Sequence, residues 1–144
     1  MVSIKTKKQR LVDFSFMPSL KCNLKCKYCM YNSSARNKSY LDLKKTKQFI
    51  STIDFRKINA IGFYGGEISC DYESYQKIID LIPEKVIKFI ITNGTWSKHP
   101  KEYKRFLNFV KKNRLQVFIS TTKFHRPFQN RKVLKELAKE YKFN

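Results

Sequence analysis

Apolar and polar positions along this chain change period repeatedly. Leu11 to Met17, Ile58 to Tyr64, Val86 to Ile91 and Leu115 to Ile119 alternate or run apolar, and they stop at Pro18, Gly65-Gly66, Thr92-Asn93-Gly94 and Ser120-Thr121-Thr122. Short apolar runs closed by such residues predict buried strands. Between them the spacing turns helical: Leu43 to Ile53 after Asp42, then Tyr75, Ile78, Ile79 and Ile82 after Asp71, then Tyr103, Phe106, Leu107 and Val110 after Pro100. Val133, Leu134, Leu137 and Tyr141 form a last stripe. Each stripe covers one helix face, and the first three follow a residue that starts helices. Strand then helix, four times over, predicts an α/β fold on a parallel sheet. No low-complexity segment or Gly/Ser linker interrupts the series, so residues 11–144 read as one domain behind a basic N-terminal segment, 1–10.

Composition narrows the class. With 144 residues, 42% of them hydrophobic, the chain has the side chains for a real core and is not a disordered polymer. No run approaches the roughly 20 apolar residues that span a bilayer, and Met1 to Arg10 lacks the apolar stretch of a secretory signal, so a cytoplasmic protein with no membrane contact is expected. The formal charge is +20, and residues 98–144 alone carry 14 basic and 3 acidic groups. Such an excess favours phosphates or an acidic protein through counterion release. Lysine outnumbers arginine 24 to 7 and falls on solvated helix faces, a pattern that composition bias also produces.

The chemistry gathers at one place. In alternating strand and helix folds, the loops beyond the C-terminal strand ends converge on one rim. After the first strand stands Cys22-Asn-Leu-Lys-Cys26-Lys-Tyr-Cys29, after the second Gly65-Gly66-Glu67, after the third Thr92-Asn93-Gly94, and after the fourth Ser120 with His125 five residues on. Four cysteines in a cytoplasmic chain point to metal or redox chemistry rather than disulfides. Two readings stand. A structural zinc would use Cys22, Cys26 and Cys29 with Cys70 or His125 as a fourth ligand, in a module that binds nucleic acid without turnover. A cubane cluster would take the three thiolates alone and leave one iron open.

The pattern Cys22-x3-Cys26-x2-Cys29 after a first strand, with Gly65-Gly66-Glu67 after the second, resembles the radical S-adenosylmethionine (radical SAM) superfamily over Leu11 to about Tyr141. The resemblance implies a [4Fe-4S] cluster on Cys22, Cys26 and Cys29 whose remaining iron binds S-adenosylmethionine. It also implies reductive cleavage to a 5′-deoxyadenosyl radical that abstracts hydrogen from substrate. By similarity Tyr28 shields the cluster, and Gly65 and Gly66 admit the methionine amino group, whose charge Glu67 receives. Ser120 and Asn93 face the cofactor. His125 serves substrate or proton transfer, and Arg126 is a candidate for the methionine carboxylate. Cys70 reads as a small buried hydrophobe.

Three departures from the family pattern matter. Ile68 stands where proline is common, and Thr122 stands where an Asp-x-x-His segment has its aspartate. Four strand-helix units instead of six imply a partial, open TIM-like barrel. Its open side would be covered by a dimer partner, another protein or a bulky substrate. A polypeptide substrate suits that open face, as in activation of glycyl-radical enzymes, with a nucleic acid such as tRNA as the alternative and a relic with impaired chemistry as a third reading. An electron donor such as flavodoxin or ferredoxin is implied in either active case.

Overall fold

The computed structural model describes residues 13–141, so the basic segment 1–10 and the predicted strand start at Leu11 lie outside it. The four apolar runs become strands β1 (Phe14–Phe16), β2 (Ala60–Phe63), β3 (Ile87–Thr92) and β4 (Gln116–Ile119). All neighbours are parallel and the spatial order is the chain order, β1-β2-β3-β4. Helices α1 (Leu43–Ser51), α2 (Tyr72–Ile79) and α3 (Pro100–Asn113) connect them, and α4 (Arg131–Tyr141) follows β4. Asp42 accepts a hydrogen bond from the Lys45 N–H at 3.0 Å and Asp71 one from the Ser74 N–H at 3.3 Å, as capping carboxylates do. Pro100 takes the first helical position of α3, where its missing N–H costs nothing. Helix α2 ends at Ile79 rather than reaching Ile82, because Pro83 disfavours helical geometry at the residue before it. Ile82 still packs into the core, 5% exposed.

The register aligns a row of core residues across the sheet: Phe16 faces Phe63, Phe63 faces Ile90, and Ile90 faces Val117. These pack with Ile50, Tyr75, Ile78, Phe106, Val110, Leu134 and Leu137 from the helices into one continuous core. By the two-residue alternation of strands, Met17, Tyr64, Phe89, Ile91 and Phe118 lie on the other face. There the Phe89 ring touches Tyr64 at 6.0 Å and Phe118 at 5.4 Å, while Met17 and Ile91 stay about two-fifths exposed. The sheet is open, with β1 and β4 as its edges. The fold is thus α/β with an open parallel sheet, as the pattern predicts. Among the described residues no helix is long and apolar enough to cross a membrane.

Three short 3-10 segments that the periodicity does not predict, Ile68–Cys70, Thr95–Lys98 and Arg126–Phe128, lie beyond the ends of β2, β3 and β4. The middle one drives Trp96 into the core, where its ring stacks on Phe106 at 3.9 Å and its indole N–H donates to the Thr92 hydroxyl at 2.9 Å. Trp96→Ala should therefore cost about 3–5 kcal/mol, the range for emptying a large aromatic site. Urea unfolding followed by circular dichroism measures it, and a loss below about 1 kcal/mol would contradict this packing.

Candidate functional site

The cysteine loop is fastened to the end of β2 by backbone. Beyond the paired strands the parallel ladder continues: Tyr64 N–H donates to the Phe16 carbonyl at 2.9 Å, Gly66 N–H to Ser19 at 2.8 Å and Glu67 N–H to Lys21 at 2.9 Å. Residues 19–21 lead directly into Cys22, so the glycine pair and the thiol loop lie side by side. A Cβ on Gly66 would run into the Lys21 carbonyl, and one on Gly65, whose φ is +108°, would meet the Ser19 oxygen at 2.7 Å. Both glycines are thus required by the chain's own backbone. The Ser33 hydroxyl, from the far side of the loop, donates to the Gly65 carbonyl at 3.3 Å.

The three thiols are partly exposed and reduced. Burial pushes Cys22 up to about 11, with further upward pressure from Glu67, Cys26 and Cys29. Cys26 is raised, by burial first and then by Cys29. At Cys29 burial again pushes upward, but the N–H groups of Ser33, Tyr31 and Asn32 and the Ser33 hydroxyl outweigh it and hold this thiol below 9.0. Cys29 thus sits in a nest of donors that favours its thiolate. Among the described residues no three His, Cys, Asp or Glu side chains converge on one ion.

Glu67 is not an open carboxylate. It is 1% exposed and turned into the fold, where Oε1 accepts from the Thr92 hydroxyl at 2.7 Å and the Ser69 N–H at 3.3 Å, and Oε2 from the Asn93 N–H at 2.6 Å. Burial raises its carboxyl above 4.5 and these donors pull it partly back. The side chain ties the end of β2 to the end of β3. Asn93 continues the chain of contacts: its Nδ2 donates to Asn23 Oδ1 at 2.9 Å and approaches Cys22 Sγ at 3.7 Å, and Asn23 Nδ2 donates to the Thr95 hydroxyl at 2.7 Å.

The β4 end closes the other flank. Ser120 N–H donates to the Thr92 carbonyl at 2.9 Å. The His125 ring lies between the Thr122 hydroxyl, 3.0 Å from Nδ1, and Cys26 Sγ, 3.6 Å from Nε2, and burial holds it below 6.5. Tyr28 is 70% exposed and meets the Phe124 ring edge-on at 5.6 Å. Arg126 Nε donates to the Thr121 carbonyl at 2.7 Å. Cys70 is only partly buried; burial, Glu67 and Cys22 push it up to about 11, so it stands on the rim near the loop and not in the core.

Cys22, Cys26, Cys29, Gly65, Gly66, Glu67, Asn93, Ser120, Tyr28 and His125 therefore share one rim. The spacing arguments miss Asn23 and Gln129. Gln129 is buried, and its Nε2 donates to the carbonyls of Asn93 and Ser120, both at 2.7 Å, joining the ends of β3 and β4. Asn23 had a signal, its place directly after the first cysteine; Gln129, in a plain loop, had none.

Comparison with known proteins accords with this rim. Residues 17–142 match the profile of the Radical SAM superfamily. YydG of Bacillus subtilis (strain 168), whose name places it provisionally in peptide biosynthesis, is 26% identical over 121 residues, which is 81% of this chain and 38% of YydG. The fold is shared with anSMEcpe with bound AdoMet, at 22% identity and a TM-score of 0.56 over 91% of this chain and 42% of that one. It is shared also with Streptococcus suis SuiB bound to S-adenosylmethionine, at 17% identity and a TM-score of 0.51 over 91% of this chain and 38% of that one. SuiB is known as well bound to precursor peptide SuiA. The chain thus spans about two fifths of the length of these proteins. Since the family match takes in nearly all of its residues, the chain belongs to the radical SAM superfamily, whose cofactors are a [4Fe-4S] cluster and S-adenosylmethionine.

Proposed function

We propose that this chain carries out radical SAM chemistry on a polypeptide. The observation that carries the reading is a single rim on which three partly exposed thiols of one loop are fastened to a Gly-Gly-Glu turn. The donor set fits the cluster: three thiols within electrostatic reach of one another, one of them nested in N–H groups that favour its thiolate. Cys22, Cys26 and Cys29 would hold it. When bound, the cluster and S-adenosylmethionine supply the reductive cleavage that yields a 5′-deoxyadenosyl radical, with the electron delivered by a donor such as flavodoxin or ferredoxin.

The chain's own residues hold, orient and shield. Gly65 and Gly66 keep the thiol loop pressed on the rim and leave backbone bare of side chain beside it. Glu67 acts from inside as a strut between two strand ends. Ser120 and Tyr28 are the rim groups proposed to meet the cofactor, Tyr28 and Phe124 together limiting solvent access from the β4 side. Support for a polypeptide substrate comes from the peptide-related names of YydG and SuiB.

Anaerobic reconstitution tests the reading. The protein should bind about four irons per chain with broad visible absorbance, and with dithionite and S-adenosylmethionine it should release 5′-deoxyadenosine. Cys26→Ala should lose both. A colourless protein holding one zinc, or a fully loaded cluster that releases no 5′-deoxyadenosine, would overturn it. Gly66→Ala, which must displace the thiol loop, should slow cleavage by about 10²-fold, the usual consequence of a misplacement near 1 Å. Cleavage at the wild-type rate would show that the loop does not depend on this contact.

Glu67 adds a pH signature. Its folded value lies above the 4.5 of the unfolded chain, so the folded state keeps a proton that the unfolded state has released. Stability attributable to this group is therefore complete below 4.5 and falls as pH rises toward the folded value. Glu67→Gln should lack that slope, so its stability relative to the wild type improves between pH 4.5 and neutrality. Parallel stability curves for the two proteins across that window would refute the assignment.

A further inference from the structure

Two rim side chains outside the thiol loop reach its sulfurs, and in each the hydrogen-bond partners decide which atom carries the proton. Asn93 has one carbonyl and one amide. Its Oδ1 receives the Thr95 N–H at 3.0 Å, a donor that only an oxygen can satisfy, and the Thr95 hydroxyl at 2.9 Å. The amide nitrogen must then occupy the other side, where its two protons meet two acceptors, Asn23 Oδ1 at 2.9 Å and Cys22 Sγ at 3.7 Å. The amide is therefore locked with a donor on sulfur.

His125 yields to the same reasoning. A cysteine that binds metal does so as a thiolate and has no proton to give, so the ring nitrogen 3.6 Å from Cys26 Sγ must be the donor. In a neutral ring the other nitrogen is then an acceptor, and the Thr122 hydroxyl stands 3.0 Å from it, able to donate. A carboxylate here, which only accepts, would hold the proton of a neutral ring on Nδ1; the Thr122 hydroxyl, which can donate, leaves it on Nε2 facing the sulfur. Cys29 takes its hydrogen bond locally, from the Ser33 N–H at 3.3 Å.

We propose that Asn93 and His125 are positioning residues for the cluster thiolates, donating hydrogen bonds to Cys22 and Cys26 respectively, and that they set the reduction potential of the bound cluster. The proposal rests on the cluster assignment made above. Hydrogen bonds to sulfur stabilise the more negative, reduced cluster more than the oxidised one, so they raise the potential. The two donors come from the ends of β3 and β4. The potential is thereby tied to the sheet and not to the loop alone.

Midpoint potentials from mediated redox titration followed by electron paramagnetic resonance, without S-adenosylmethionine, test this on reconstituted protein. Asn93→Ser keeps an acceptor for Thr95 but is too short to reach Cys22; His125→Leu removes the second donor. Each should make reduction about tenfold harder, equivalent to about 59 mV for one electron. His125→Gln, whose amide nitrogen can donate, should recover part of the loss. Thr122→Val, which leaves both rim side chains in place but frees the ring tautomer, should shift the potential in the same direction by less. If Asn93→Ser or His125→Leu fails to hold a cluster, Thr122→Val and His125→Gln still decide the point. Variants with full iron content and the wild-type potential would overturn the proposal. A wild-type chain that assembles no cluster would instead overturn the function proposed above and this inference with it.

Discussion

The parallel ladder between β1 and β2 does not end where the strands end, and the site depends on that continuation. Carbonyls of Ser19 and Lys21 receive the N–H groups of Gly66 and Glu67, which forces two loops that belong to different strand-helix units to run in contact. Only glycine tolerates the approach at Gly66, where any side chain meets the Lys21 carbonyl. The thiol loop, which has few apolar side chains to bury, thereby inherits its position from the sheet. Loops of this kind are ordinarily the mobile part of a fold. Here main-chain hydrogen bonds do what packing cannot.

From that seam the order spreads through polar contacts. Glu67 turns inward and gathers Ser69, Thr92 and Asn93; Asn93 gathers Asn23 and Thr95; Gln129 joins Asn93 to Ser120. A buried carboxylate is unfavourable unless its oxygens are occupied, and the three donors on Glu67 meet that requirement. All four strand ends are consequently linked by hydrogen bonds above a core that is almost wholly apolar. The rim can keep polar groups in place because each one is committed to another.

Much of the fold was legible in the residue pattern because the two kinds of periodicity are strong and the stops are chemically distinct. The run Ile58 to Tyr64 ends in two glycines, and Leu115 to Ile119 ends in three hydroxyl residues; both became strands with ends inside those limits. The 3-10 segments were not legible, since three or four residues carry no period. In the site, residue type and spacing single out the cysteines and the Gly-Gly-Glu turn. They do not carry direction. Glu67 reads from sequence as a carboxylate awaiting a cation, yet burial and three donors turn it toward the sheet. The pairing of Cys26 with His125 joins residues 99 positions apart and rests on the Thr122 hydroxyl, a contact that no local pattern encodes.

Trp96 is the one tryptophan in the chain. Its indole N–H is bonded to the Thr92 hydroxyl, which in turn donates to Glu67, so a fluorophore lies two hydrogen bonds from the turn that fastens the thiol loop. A shift of the Thr92 hydroxyl that accompanied any loosening of that turn would change the polarity around the indole. The protein carries a built-in optical gauge of its rim, readable in a cuvette without label or substrate.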